Sequence, residues 1–191
     1  AIQLGLLDRM AAIGTLEGSE EGGVNEILAP NEMLESVHRV RGGALFALAF
    51  LAPSILEGAG VSQGLNAAES AIAQLGTAFQ IVDDLTDFEF DVSRRSHNLL
   101  VSQVHHAGSD EERATLRRFW EGELIEASDV GSLFRDSARE ILDRAYTEAQ
   151  ASFVGLSELG FWFDPQLSDQ VVQAIVGLDG VARIEDLTGP K

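Results

Sequence analysis

The sequence contains no cysteine and no long apolar run, and both absences exclude classes of protein. Without cysteine there is no disulfide framework and no thiolate metal site, and the absence suits a reducing cytoplasm. The longest apolar run, Ala44 to Pro53, is too short to span a bilayer, and nothing resembles a signal peptide. We therefore expect a cytoplasmic protein with no membrane span.

Positive charge is also scarce. The chain carries 13 Lys and Arg residues against 31 Asp and Glu residues, which gives a formal net charge of −18 at pH 7, and its only lysine is Lys191. A field of this sign repels nucleic acid and anionic lipid, and it attracts divalent cations. We therefore expect no nucleic-acid partner. An enzyme of this composition that acts on an anionic substrate would need local positive charge at its site.

The alternating pattern of β-strands is absent as well, whereas apolar residues recur at helical spacing along the chain. The 191 residues, 45% of them hydrophobic, suffice for one domain with a sizeable core. The sequence predicts an all-α fold, with a single domain over residues 1–178 and a loose tail over residues 179–191. The predicted helices are Ile2–Ile13, Pro30 through Arg41 toward Leu56, Ala67–Asp91, Asn98–His106, Ser109 through Trp120, a helix that ends at Glu158, and Ser168–Gly177. Pro53 kinks or ends the second of these helices, and a capping box at Ser109 starts the fifth. A glycine-rich break at Gly14–Gly23 and a turn at Gly58–Gly64 separate the first three.

Three carboxylates within five residues, Asp83, Asp84 and Asp87, stand out in the longest predicted helix. Asp83 and Asp87 are four residues apart, so they lie on one face of the helix, one turn above the other. Like charges this close repel each other, and a hard divalent cation such as Mg²⁺ removes the conflict. The segment before them is small and apolar, which indicates a buried helix. We expect the three carboxylates to face a cavity between helices and to bind Mg²⁺.

The segment Phe79–Asp87 resembles the second aspartate-rich motif of the trans-isoprenyl diphosphate synthases, in which Phe-Gln and two apolar residues precede Asp-Asp-x-x-Asp. The resemblance implies a helical bundle of the isoprenoid synthase type. It also implies that Asp83, Asp84 and Asp87 bind Mg²⁺ that bridges to an allylic diphosphate. Gln80 would lie near the same diphosphate, and Phe79 would form part of the wall of the prenyl cavity.

Three arginines are candidates for the positive charge that a diphosphate needs. The segment Arg39–Phe46 resembles the family segment Lys-Thr-x-x-Leu-Phe, and Arg41 stands at the position of the diphosphate-contacting lysine. Its guanidinium would keep the charge and add a bidentate fork, so we expect it to face the same cavity. Arg94 and Arg95 follow the motif in a segment shorter than the family's. They either contact diphosphate or form a solvated loop that balances the acidic residues before it.

The family's first aspartate-rich motif has no counterpart here, because the chain contains a single Asp-Asp pair. The family also has upstream basic residues that hold isopentenyl diphosphate. We expect the chain to be the C-terminal half of a longer protein, with an incomplete bundle. The parent would be a Mg²⁺-dependent prenyltransferase, and the 191 residues alone would be inactive.

The resemblance implies a reaction in which an allylic diphosphate condenses with isopentenyl diphosphate to make longer polyprenyl diphosphates. Family members commonly form dimers, so a homodimer is expected. Two alternatives remain open: a terpene cyclase-like enzyme of the same fold, and a non-catalytic partner subunit that lacks the first motif. Product chain length is not encoded in these residues, since the family sets it near the first motif.

Overall fold

The computed structural model describes residues 2–57, 62–122 and 130–177, and within these ranges the chain is all-α with no strand, as predicted. The elements are α1 (Ile2–Ser19), α2 (Pro30–Met33), a π-helical segment (Leu34–Gly43), α3 (Ala44–Glu57), α4 (Ser62–Thr86), α5 (Phe88–Arg94), α6 (Leu99–Ala107), α7 (Asp110–Trp120), α8 (Val130–Leu133), α9 (Arg135–Glu158) and α10 (Pro165–Gly177).

The central helix is α4, which packs against the π-helical segment, α3, α9 and α10. Helix α1 covers α3, and α6 lies against both α2 and α9. Aromatic rings close the core next to the acidic motif: the ring centroid of Phe88 lies 5.3 Å from that of Phe134 and 5.4 Å from that of Phe119. Phe88 and Phe134 are fully buried. The end of α4 that carries the motif is therefore anchored in the core.

The π-helical segment crosses α4 at glycines, and this crossing brings the two elements unusually close. A Cβ atom built on Gly76 would lie well under 3.0 Å from the carbonyl oxygen of Gly42, and one on Gly42 would clash in the same way with Gly76. Only glycine leaves room for backbone against backbone at both positions. The crossing places His38 and Arg41, on the π-helical segment, next to the last turns of α4.

Several helix boundaries differ from the predictions. Helix α1 continues to Ser19 instead of ending at Ile13, because Gly14 and Gly18 fit within a helix. The break that follows contains Gly22 and Gly23, with φ of +91° and +90°. Pro53 lies inside α3 and does not end it, since the helix continues to Glu57. Of the predicted turn Gly58–Gly64, residues 58–61 lie outside the described residues and 62–64 belong to α4. The predicted tail over 179–191 also lies outside them.

The predicted continuous helix Ala67–Asp91 begins earlier, at Ser62, and bends at Asp87, which has φ −94° and ψ 9°. The side-chain amide of Asn98 donates a 2.6 Å hydrogen bond to the carbonyl of Asp84. In a continuous α-helix that carbonyl would accept the N–H of Phe88. Asn98 therefore occupies the acceptor at the point where the helix turns into α5.

Local sequence signals are confirmed for the two helices that follow. The Asn98 side chain accepts hydrogen bonds from the N–H groups of Leu100 and Val101 and so caps α6. Ser109 and Glu112 form the reciprocal capping box that starts α7. The predicted end at Glu158 is confirmed for α9, while α10 begins at Pro165, three residues before the predicted start.

By length and composition, the described stretch Pro30–Leu56 is apolar enough to cross a membrane. Core helices of soluble proteins and signal sequences share these two features. The expected absence of a membrane span therefore stays a prediction.

Candidate functional site

Asp84 is buried where three elements meet. Its Oδ2 atom lies 2.9 Å from Nε2 of His38, and both side chains are almost completely excluded from solvent. The other ring nitrogen of His38 lies 3.3 Å from the carbonyl oxygen of Met33. Both ring nitrogens therefore lie beside acceptor oxygens. Asp84 and His38 thus form a buried pair that joins α4 to the π-helical segment.

The same carboxylate also holds the start of α6. The N–H of Leu99 donates to Oδ2 of Asp84 over 2.5 Å, and Asn98 satisfies the next two N–H groups. The first N–H groups of a helix have no partner within it, and a negative charge beside them is favourable. Gln80 adds a longer contact of 3.4 Å from its Nε2 to Oδ1 of Asp84. Protein groups therefore occupy this carboxylate, which was predicted to bind metal.

Asp83 is half-buried and lies among like charges. The Nε2 atom of Gln80 donates to its Oδ2 over 3.2 Å. Burial raises the pKa of Asp83, and the charges of Asp87 and Asp84 raise it further, while the Gln80 hydrogen bond and the charge of Arg41 lower it. Asp83 and Asp87 have no ion-pair partner among the described residues. Their mutual repulsion is therefore left without a direct counter-charge.

Asp87 is exposed at the bend, contrary to the expectation that it faces a cavity between helices. One turn further, the half-buried Asp91 accepts a 2.9 Å hydrogen bond from Asn98. Burial raises the pKa of Asp91 to about 7; the hydrogen bond from Asn98 opposes this rise, and the charges of Asp84 and Asp87 add to it. The acidic site thus extends beyond the three predicted aspartates.

The raised pKa of Asp91 predicts that stability falls as the pH rises. Below the unfolded pKa of 3.8 both states are protonated, and between 3.8 and about 7 only the folded state keeps the proton. The folded carboxylate therefore destabilises the protein fully only above about pH 7. Asp91→Asn removes this penalty and preserves an acceptor for Asn98. We compare the free energy of unfolding of Asp91→Asn with that of the wild type. Because the side chain is only half-buried, we expect the difference to grow by about 1–2 kcal/mol in favour of the variant from pH 4 to pH 8.

Urea unfolding of both proteins in chelator-containing buffer at several pH values measures this gain. Glu89→Gln is the matched control, because it removes one exposed acidic charge on the same helix and leaves Asp91 in place. A constant difference between Asp91→Asn and wild type across the range would show that Asp91 ionises normally.

Arg41 is largely buried beside the acidic cluster, but two glutamates already pair with it. Its Nη2 atom lies 2.6 Å from Oε1 of Glu20. Its Nε atom lies 2.5 Å from Oε1 of Glu17, without hydrogen-bond alignment. Glu20 is itself buried and accepts the N–H of His97 over 3.3 Å. Arg41 is close enough to lower the pKa of Asp83. The structure thus brings Arg41, Gln80, Asp83 and Asp84 together.

The remaining predicted residues lie at different distances from this group. Phe79 is 43% exposed, one turn before Asp83, and its ring lies 6.0 Å from that of Phe46 on α3. The guanidinium of Arg94 lies over the ring of Phe90, 5.1 Å from its centroid. Arg95 lines a separate cleft beside Val92 and Trp120. The two arginines therefore differ, and neither forms an ion pair with the motif aspartates.

Sequence reasoning gave no role in this site to His38, Glu20 or Asn98, and it interpreted Asp91 as part of a solvated acidic face. Asn98 carried a usable signal, since an asparagine before an apolar helix is a typical N-cap. Asp91 also carried one, because it continues the four-residue spacing of Asp83 and Asp87. His38 and Glu20 carried none, since their partners are distant in the sequence.

The donor set suits Mg²⁺ through two carboxylates. Among the described residues, no three His, Asp or Glu side chains form a preformed metal-binding group. Mg²⁺ in phosphate sites is usually held by only one or two carboxylates, together with substrate oxygens and waters. Asp83 and Asp87 meet that requirement, whereas Asp84 already has protein partners.

Comparison with protein-family models, with curated proteins and with solved structures finds no match for the chain.

Proposed function

We propose that this chain binds an allylic diphosphate through Mg²⁺ at Asp83 and Asp87, as one half of the site of a prenyltransferase with an isoprenoid synthase-type bundle. The observation that carries the proposal is the placement of these two carboxylates. They lie one turn apart at the bend between α4 and α5, without an ion-pair partner among the described residues, and Arg41 lies nearby. Because burial and the charge of Asp87 raise the pKa of the half-buried Asp83, a cation between the two carboxylates would relieve this repulsion.

Asp83 and Asp87 would hold the metal, and Asp84 would position them. When bound, Mg²⁺ neutralises the charge that builds on a departing diphosphate. Asp84 fixes the end of α4 against His38 and the start of α6, so the neighbouring Asp83 is held at a defined place. The side-chain amide of Gln80 contacts both Asp83 and Asp84, and it restricts Asp83 further.

Arg41 supplies the nearest cationic group for the diphosphate. Its guanidinium offers a planar fork that matches phosphate oxygens. A diphosphate carries more negative charge than one carboxylate, so it can compete with Glu17 for the guanidinium. Of the two ion pairs of Arg41, the one with Glu17 costs less to break, because Glu17 is much more exposed than Glu20.

Phe79 and Phe46 supply an apolar wall beside the carboxylates. Phe79 precedes Asp83 by four residues, so both lie on one face of α4. A prenyl chain could lie along the exposed ring of Phe79 while its diphosphate lies toward Asp83. This juxtaposition of an apolar surface with acidic residues fits a prenyl diphosphate better than a free polar phosphate.

Condensation requires more than this half-site. The allylic C–O bond breaks, diphosphate leaves, and the double bond of isopentenyl diphosphate attacks the allylic carbon, after which a proton is lost. The leaving group needs charge stabilisation on both sides, and these 191 residues provide one aspartate-rich motif. The second set of ligands would come from another part of the protein or from a partner chain, and a homodimer fits this need.

A second candidate function is that of a non-catalytic partner subunit. The observation that favours it is the occupation of two site residues by the protein itself: Asp84 by His38 and Leu99, and Arg41 by Glu17 and Glu20. A subunit of this kind would keep the helical fold and stabilise a catalytic partner. Diphosphate binding distinguishes the two candidates.

Titration calorimetry with farnesyl diphosphate, with Mg²⁺ and then with chelator, tests the proposal. We expect binding that depends on Mg²⁺, and we expect the double substitution Asp83→Asn, Asp87→Asn to weaken it at least tenfold, about 1.4 kcal/mol. The physical reason is that the amides keep the shape of the side chains and remove the charge that holds the cation.

Glu89→Gln is the control, since it removes one exposed acidic charge close to the motif. Equal weakening by Glu89→Gln would show a general charge effect, and binding that is insensitive to chelator would contradict the metal role. Incubation of farnesyl diphosphate and radiolabelled isopentenyl diphosphate with a protein or complex that also supplies the second set of ligands then separates the reactions. Released diphosphate without elongation would indicate a terpene cyclase-like enzyme, and no Mg²⁺-dependent binding would leave the partner-subunit function.

A further inference from the structure

A second cleft lies where the loop before α2 meets the connection between α5 and α6. Its volume is about 290 Å³, close to the lower end of small-molecule pockets, about 300–1,000 Å³. Apolar side chains that include Val92, Val101 and Trp120 line it, and Asn25, Arg95 and Ser96 add polar groups. None of the motif aspartates is among the described lining residues. The cleft is therefore separate from the proposed metal site.

Arg95 has a backbone conformation that arginine rarely adopts. Its φ is +56° and its ψ +40°, at the C-terminus of α5. The N–H of Ser96 donates to the Asp91 carbonyl over 2.9 Å, and the N–H of Arg95 donates to that of Val92 over 3.2 Å. These are the two hydrogen bonds of a Schellman motif, whose left-handed position usually carries glycine. The local structure thus favours glycine, yet the chain has an arginine.

The loop before α2 fixes this arginine from the other side. The N–H of Val24 donates to the carbonyl of Arg95 over 2.8 Å, and a Cβ on Gly23 would lie 3.0 Å from the Cβ of Arg95. The backbone at Arg95 is therefore held by the end of α5 and by the loop before α2. Left-handed strain in a well-held bulky residue often accompanies function.

The guanidinium of Arg95 is exposed and has no ion-pair partner among the described residues. Its neighbour Arg94 differs, because it lies over the ring of Phe90. Arg95 thus places a cation, without a carboxylate partner among the described residues, at the largely apolar lining of the cleft. The combination matches a ligand with an anionic head and an apolar body.

We propose that this cleft binds a small organic anion with an apolar body. The carboxylate or phosphate head contacts the guanidinium of Arg95, which offers a bidentate fork. The apolar body packs against Val101 and the partly exposed ring of Trp120. This binding needs no metal and none of the motif aspartates, so it does not rest on the proposed prenyltransferase function.

The test uses Trp120 as its own reporter. The chain has two tryptophans, and Trp162 is 83% exposed, so Trp162→Phe leaves Trp120 as the only one with little effect on packing. Octyl phosphate and octanoate are titrated separately in chelator, below their micelle concentrations, while tryptophan emission is recorded. We expect a saturable change for at least one of them, and at least tenfold weaker binding of octanol, which has the same body and no charge.

Arg95→Gly should raise the dissociation constant at least tenfold without lowering the melting temperature, because glycine suits the left-handed position. Arg95→Gln should weaken binding similarly while keeping most of the side-chain length. Arg94→Gln is the matched control and should leave affinity unchanged.

Saturable binding of octyl phosphate alone would assign a phosphate ester to the cleft, and binding of both probes would assign organic anions generally. The proposal is overturned by unchanged affinity in Arg95→Gly, by octanol binding as tightly as the anions, or by no saturable change for either anion up to about 1 mM.

Discussion

Replacing Gly76 by alanine should lower the free energy of unfolding by about 3 kcal/mol or more. The new Cβ would lie far inside the contact distance of the Gly42 carbonyl and would also crowd the Cβ of Phe46. Backbone atoms of a packed helix cannot rotate aside as the end of a long side chain can. The π-helical segment and α4 would have to separate, and the packing between them would be lost. Urea unfolding at fixed pH measures the effect.

Gly64→Ala is the matched control within the same helix. Nothing lies within 4 Å of a Cβ built at Gly64, so alanine there meets open space. Alanine has a higher helix propensity than glycine, so the free energy of unfolding of the variant should rise by up to about 1 kcal/mol. A similar response at the two glycines would show that the crossing is looser than the structure indicates.

The crossing also bears on the site, because Gly42 follows Arg41 directly. If the two elements separate, the guanidinium moves away from Gln80 and Asp83, and the positive charge near the acidic cluster is lost. The glycines therefore determine how close Arg41 comes to the carboxylates. Their role could not be inferred from the sequence, because Gly42 and Gly76 are 34 residues apart and meet only through tertiary packing.

Local signals in the sequence predicted part of the fold. The capping box at Ser109 and Glu112 is contained within four residues, so the start of α7 was predicted well. The amphipathic pattern of residues 98–106 predicted α6. The end of α1 was predicted wrongly, because glycine inside a helix costs only about 1 kcal/mol and tertiary packing can offset it. Gly14 was therefore a weak sign of a break.

The bend at Asp87 and the role of Asp84 could not be predicted, since both depend on contacts between distant residues. The bend involves Asn98, 14 residues beyond Asp84, and the partner of Asp84 is His38, 46 residues before it. Helical spacing placed Asp83 and Asp87 on one face but contained no information about what Asp84 would meet. The aspartates of one motif therefore lie in different environments, which the sequence alone does not distinguish.

Replacing Asp84 by alanine should destabilise the protein by about 3–5 kcal/mol, the usual cost of removing one partner of a buried pair. The imidazole of His38 would remain buried without its acceptor, and the N–H of Leu99 at the start of α6 would lose its partner too. Unfolding by urea, followed by circular dichroism, measures the loss. Double substitution with His38→Ala should cost less than the sum of the two single losses, because the pair is then removed together.

Asp87→Ala is the control from the same motif, and it separates stability from function. Asp87 is exposed and raises the pKa of Asp83 by repulsion, so its removal should change stability by no more than about 0.5 kcal/mol. It should nevertheless weaken Mg²⁺-dependent binding of farnesyl diphosphate, because it removes a proposed ligand. Equal destabilisation by both substitutions would contradict the assignment of different roles. If Asp84→Ala alone unfolds the chain, the second aspartate of the motif supports the helices, and binding depends on the first and third.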